Sequence, residues 1–212
     1  MLGKHSRIDF RNLLNQMGDN QTTYRTGRDL EGGNELRNHA FRYRQRTIYS
    51  GQLHGSHDIG EKSKLEWTLG YGKAISKEPD FRRISTRRDL NTGDAGAPFT
   101  AYIPLSADPF NAGRSFSDLH EDVYTARVDY ERTLKESDDH WAVKLRGGLY
   151  GEYKQRDFSM RWLSYTKGLN FNNDLAGLPM ETIFSAQNIN GQTGFELDEG
   201  TNASDKYDAN NT

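Results

Sequence analysis

Several side chains in this sequence have the types that chemistry uses, and their spacing tests each. His54 and His57 suggest a metal site, but residues three apart on a strand face opposite ways, which argues against joint coordination. Gly147-Gly148 with Gly151 has the composition of a phosphate-cradling loop. It falls inside an extended run with no helix after it, so close packing or a bend is the better reading. Asp138-Asp139-His140 reads as a solvated turn, and no Ser/His/Asp constellation has a supporting context. No catalytic residue, metal ligand or cofactor site is expected, and the chain reads as a non-enzyme.

A basic and aromatic set points instead to binding. Arg42, Arg44 and Arg46 alternate along one segment, which would put three guanidinium groups on one strand face. Arg82, Arg83, Arg87 and Arg88 follow in a Pro-containing stretch, with Phe99, Tyr102 and Phe110 beyond them. The arginines could meet an anionic ligand or pair with acids on neighbouring strands. The aromatics could contact a ligand or pack the loop onto itself.

The elements that must position these groups follow from alternation. Between Phe41 and Tyr71 two arms, with Tyr43, Thr47, Tyr49 and Leu53 on the first and Leu65, Trp67 and Leu69 on the second, flank a break at residues 58–62. Each arm has an aromatic-rich face and a charged face, and the short Gly-containing break predicts a β-hairpin. Residues 7–14 predict a strand, with Ile8 and Phe10 on one face. Residues 122–134 predict another, through Tyr124, Ala126, Val128 and Tyr130. A fifth runs from Trp141 toward Trp162 through Val143, Leu145, Leu149 and Tyr153. Residues 15–38, 77–119 and 164–212 are polar or rich in Gly, Pro and Asn, and read as long connections.

Composition narrows the class. Hydrophobic residues make up only 33% of the chain and mean hydropathy is −0.93, yet 11% aromatics and clear alternation argue against disorder. A net charge of −2 supplies no global basic field for nucleic acid. With no cysteine, disulfide frameworks and thiolate metal sites are excluded. No apolar run has the length of a membrane-spanning helix, and the start MLGKHSRIDF lacks the apolar stretch of a secretion signal. Short turns at 3–6, 58–62 and 135–140 alternate with the three long connections, which is the rhythm of a transmembrane β-barrel. The apolar faces lack a second layer to cover them, and the opposite faces are too charged for a sandwich core. The expected fold is all-β: an antiparallel up-and-down meander of about five long strands, forming part of a transmembrane barrel. A soluble or surface-exposed β-sheet binding module is the alternative.

Particular segments carry a family resemblance. RIDFRN at Arg7, RQRTIYSGQLHGSHDIGEKSKLEWTLGY at Arg44, EPDFRRI at Glu78, and the late IFSAQNI and GFELDEGTNASDKYDA resemble the barrel portion of TonB-dependent outer-membrane receptors of Bacteroidetes type. The resemblance runs over nearly the whole chain. It implies that residues 1–212 are an internal part of a barrel of about 22 strands, whose plug and remaining strands lie elsewhere. It further implies the outer membrane of a Gram-negative bacterium, with outer-membrane lipid, the plug domain and the TonB complex as partners. The implied function is energy-coupled uptake of a scarce ligand such as a siderophore, oligosaccharide or peptide. In that setting Arg42, Arg44, Arg46, Arg82, Arg83, Phe99 and Tyr102 are the candidate contacts to ligand, plug or lipopolysaccharide.

Charge pairing fixes an expected register for the last hairpin. Placing Leu134 opposite Trp141 sets Tyr130 against Leu145 and Ala126 against Leu149 on the apolar face. It sets Glu131 against Lys144 and Asp129 against Arg146 on the other. Arg42, Arg44 and Arg46 have no comparable acidic series near Tyr71, which singles them out for ligand, plug or lipopolysaccharide contact.

Overall fold

The computed structural model describes residues 5–94, 96–135 and 143–212. The described residues form one antiparallel sheet of eight strands. Five are long: β1 Ser6–Asp29, β2 Asn34–Ile59, β3 Ser63–Asp89, β5 Ala112–Lys135 and β6 Val143–Lys167. Three are short: β4 Thr100–Ala101, β7 Phe195–Glu199 and β8 Lys206–Asn211. The long strands pair in chain order as a meander, β4 extends the edge of β3, and β7 and β8 lie along β6. The sheet is open, with β1 at one edge.

Strand lengths differ from the expectation. β1 and β2 pair without interruption from Ser6↔His57 to Asp29↔Asn34, so residues 15–38 are the two paired arms and tight turn of a hairpin rather than a loop. The turn at residues 30–33 is only one residue longer than the one at 60–62. Each holds a glycine in the left-handed region, Gly33 at φ 63° and Gly60 at φ 67°, where a Cβ would clash with the backbone. β3 likewise continues to Asp89 and β5 begins at Ala112, which leaves residues 90–111 as the connection. Residues 164–212 are also structured: β6 runs to Lys167, and helical turns lead into β7 and β8. The far end therefore carries one tight turn and two long connections, not long loops throughout.

Registers place the apolar sets on one side, as alternation predicts. Ile8 opposes Gly55, and Gly55 opposes Trp67. Trp67 opposes Val128, and Val128 opposes Leu149. The last hairpin is displaced from the expected pairing: Glu131 lies opposite Arg146 and Tyr130 opposite Gly147. The displacement preserves parity, and the charges still meet on the diagonal, with Lys144 Nζ 3.2 Å from Glu131 and Arg146 Nη2 3.7 Å from Asp129. Long side chains reach one diagonal step, so charge matching alone does not separate the two registers. The turn around Asp138-Asp139-His140 and the Leu134–Trp141 pair lie outside the described residues. Among the glycines there, a Cβ on Gly148 would meet Val128 O at 2.8 Å, whereas Gly147 and Gly151 border open space.

The buried core is small and sits at the far end. Ile84, Ala112, Tyr165 and Phe195 of the sheet pack with Ile103 and Ile183, and the Tyr165 and Phe184 rings stack with centroids 3.8 Å apart. The segment 168–195, including helix α1 Met180–Ile183, thus gives the far half of that face the second layer that the sequence did not announce. Nothing among the described residues covers the near half, where Phe10, Leu14 and Leu149 are 66%, 70% and 83% exposed.

Candidate functional site

Two surfaces result, one apolar and one charged. On the apolar side β3 presents Leu65, Trp67, Leu69 and Tyr71 before turning polar at Lys73. The nine residues Ser63 to Tyr71 match the ~9–11 tilted residues that cross a bilayer. A row of tyrosines closes this band: Tyr49, Tyr71, Tyr124 and Tyr153 run across four strands, with ring centroids 6.0, 5.2 and 6.3 Å apart. Tyr71 Oη donates to Asp122 Oδ1 at 2.5 Å, in the polar row just past the band. Within the band Trp67 lies flat on Gly55 and donates Nε1–H to His57 Nε2 at 3.0 Å. His57 Nδ1 then faces Ser6 Oγ, while His54, on the other face, contacts Thr68 Oγ1. The two histidines are thus held apart, as their spacing predicts.

Arg42, Arg44 and Arg46 project from the opposite, charged side. Arg42 is hydrogen-bonded to Glu78 of β3, and Arg44 Nε lies 3.6 Å from the same carboxylate. Part of the expected contrast is therefore corrected: an acid on the hairpin partner does answer two of the three, beyond the segment near Tyr71. Arg46 opposes Ser76 and has no ion pair among the described residues. Because all three point away from the apolar band, a lipid surface against that band would not meet them.

A bulge sorts the second arginine group. The β3–β5 register shifts between Glu78 and Phe81, around Pro79, whose missing N–H suits a break in the ladder. The extra residue swaps parity, so Phe81 and Arg83 join Glu78 on the charged face and Arg82 goes to the other. Arg82 and Arg114 oppose one another and share Asp80, at 2.5 and 2.9 Å. Burial alone would raise the Asp80 carboxyl, but hydrogen bonds from Arg114 and Arg82 outweigh it and hold the group below its ordinary value.

Arg83 has a different environment. Its guanidinium lies 4.4 Å from the Phe81 ring centroid and 5.2 Å from that of Phe110, and no carboxylate is within ion-pair distance among the described residues. Burial lowers its pKa; Glu78 opposes the shift, and nearby Arg42 and Arg25 reinforce it. Arg42 also faces Phe81, at 5.7 Å. The result is a cleft at the far end of the charged face, about 430 Å³, bordered by Arg25, Arg42, Phe81, Arg83 and Phe110, with Asn38 and Ala40 at its floor.

The remaining aromatic candidates are engaged within the chain. Phe99 is held between Arg37 and Arg88, at 3.8 and 4.8 Å, and Arg87 covers Tyr102 at 4.1 Å. Arg88 also bonds to Glu35, which lowers that carboxyl's pKa. The structure brings Arg42 and Arg83 together and leaves Arg82, Phe99 and Tyr102 elsewhere. Sequence reasoning missed Arg25, Asn38 and Phe81. The first two fall in the arms read as loop, and Phe81 acquires its direction from the bulge. No family model, curated protein or solved structure matches this chain.

Proposed function

We propose that this chain is a wall segment of an outer-membrane β-barrel receptor that takes up a scarce ligand with energy from the TonB complex. The observation that carries the reading is the apolar band, nine residues tall on β3 and closed by the tyrosine row. Aromatic girdles of this kind flank the lipid-facing belt of membrane barrels. Its uncovered leucines face lipid, and the charged side faces the lumen and the plug. At about 3.3 Å per residue, strands of 24–27 residues extend roughly 80–90 Å, far beyond a ~30 Å hydrocarbon core. The surplus raises the far-end cleft above the membrane, where a ligand arrives.

The buried far-end core favours a second reading, a surface-exposed sheet module that binds ligand without crossing a membrane. Flotation separates the two. The chain refolded with phospholipid vesicles should rise with them on a density gradient and stay bound through carbonate washing. Recovery at the bottom of the gradient, or release by carbonate, would favour the second reading.

A further inference from the structure

The far-end cleft holds more positive charge than its own acids answer. Glu78 serves Arg42 and Arg44, and Asp19 stands directly opposite Arg44. Arg25 and Arg83 have no carboxylate within ion-pair distance among the described residues. Arg83 is further desolvated by the two phenylalanine rings, an environment in which a guanidinium gains most from an anionic partner. A second observation also points to a ligand. Asn38 Oδ1 is enclosed at the cleft floor, between Arg25 of β1 and Ser85 of β3 in the pairing, and accepts no hydrogen bond from any of the described residues. A buried acceptor without a partner costs stability unless a donor reaches it. The cationic rim, aromatic wall and orphaned acceptor lie together over three adjacent strands.

We infer that this cleft binds a polyanion built on a ring, with anionic groups at Arg25 and Arg83, a flat ring face against Phe81 or Phe110, and a hydroxyl or N–H donor to Asn38 Oδ1. Arg25 and Arg83 are rooted two strand spacings apart, roughly 10 Å, and both border the cleft, so two anionic groups on one ring can each meet a guanidinium. The inference deepens the proposed function by naming the charge and shape of its ligand, but binding here needs neither transport nor membrane insertion.

The test is calorimetric, on the full chain in detergent, with four probes. Trigalacturonate and maltotriose share a sugar skeleton and differ in charge, and 5-hydroxybenzene-1,3-dicarboxylate and 5-hydroxybenzene-1,3-dimethanol do the same on an aromatic ring, each probe keeping a hydroxyl donor for Asn38 Oδ1. At least one acid should bind, its neutral counterpart should bind ten-fold or more weakly, and the acid that binds identifies the skeleton. Arg83→Ala should weaken that acid ten-fold or more. Arg25→Gln, at an exposed position that leaves the fold alone, should weaken it several-fold. Arg82→Ala, one residue away on the other face, should leave it unchanged. Binding of neither acid, equal binding of neutral and acidic probes, or equal losses in the Arg82 and Arg83 variants would overturn the inference. A protein that floats with vesicles but binds no acid would refute only the ligand, and one that binds acid without floating would refute only the membrane reading.

Discussion

Asp80 shows how much one side chain settles in this sheet. It joins Arg82 of its own strand to Arg114 of the next, from within the bulge that sets the direction of Arg83. Its folded-state pKa lies below the ordinary 3.8, so its contribution is complete above that value and is lost as pH falls through the lowered one. Asp80→Asn should therefore cost about 1 kcal/mol at neutral pH, a charged pair discounted for partial exposure. In urea unfolding the variant and the parent should converge as the pH drops below the carboxylate range, and a constant difference across pH would exclude the ion pair as the cause. Gly55 makes a second test. A Cβ there would sit 2.2 Å from Trp67 Cε2, so Gly55→Ala should cost about 1–3 kcal/mol through forced displacement of the ring. The cost should vanish in a Trp67→Ala background, because the contact is then gone.

At the scale of elements, alternation was readable where one face is apolar and failed where both faces are polar. Ile8, Phe10, Tyr49, Leu53, Leu65 and Trp67 alternate against polar neighbours, and their strands and shared face follow from that pattern. Residues 15–29 and 34–38 are equally extended, but Gln, Asn, Thr and Arg occupy both faces there, so no period marks the strands. What holds it is the backbone ladder, which leaves no trace in composition. The candidate site was legible in part for the same reason. Arg42 was placed on its face by parity, Arg83 by a bulge at Pro79 that parity does not foresee, and Arg25 by a strand without a signal. Register in the last hairpin was misjudged by one diagonal step because the same four charges satisfy both pairings. Cysteine pairs resolve it directly. Glu131→Cys with Arg146→Cys should form a disulfide quickly under mild oxidation, and Glu131→Cys with Lys144→Cys several-fold more slowly; the reverse order would return the hairpin to the register expected from sequence.

Over the whole molecule the sheet has two halves with different solvents. The far half buries its own small core under residues 168–195, as a surface structure in water must. The near half exposes leucines and aromatics on one side and charges on the other, and ends that exposure at a tyrosine row. An open sheet with an uncovered apolar face is an aggregation hazard in water and an ordinary barrel wall in lipid. The most direct measurement of that claim is a spin-label scan of β3 in lipid vesicles, from position 63 to position 89, comparing collisions with oxygen and with a water-soluble nickel complex. Labels at positions 65, 67 and 69 should favour oxygen, and those at 64, 66 and 68 nickel. The alternation should stop beyond Tyr71, with the labels above it reporting an aqueous setting. Uniform nickel access along the strand, or an alternation that continues unbroken to Asp89, would contradict a lipid-facing band ending at the tyrosines.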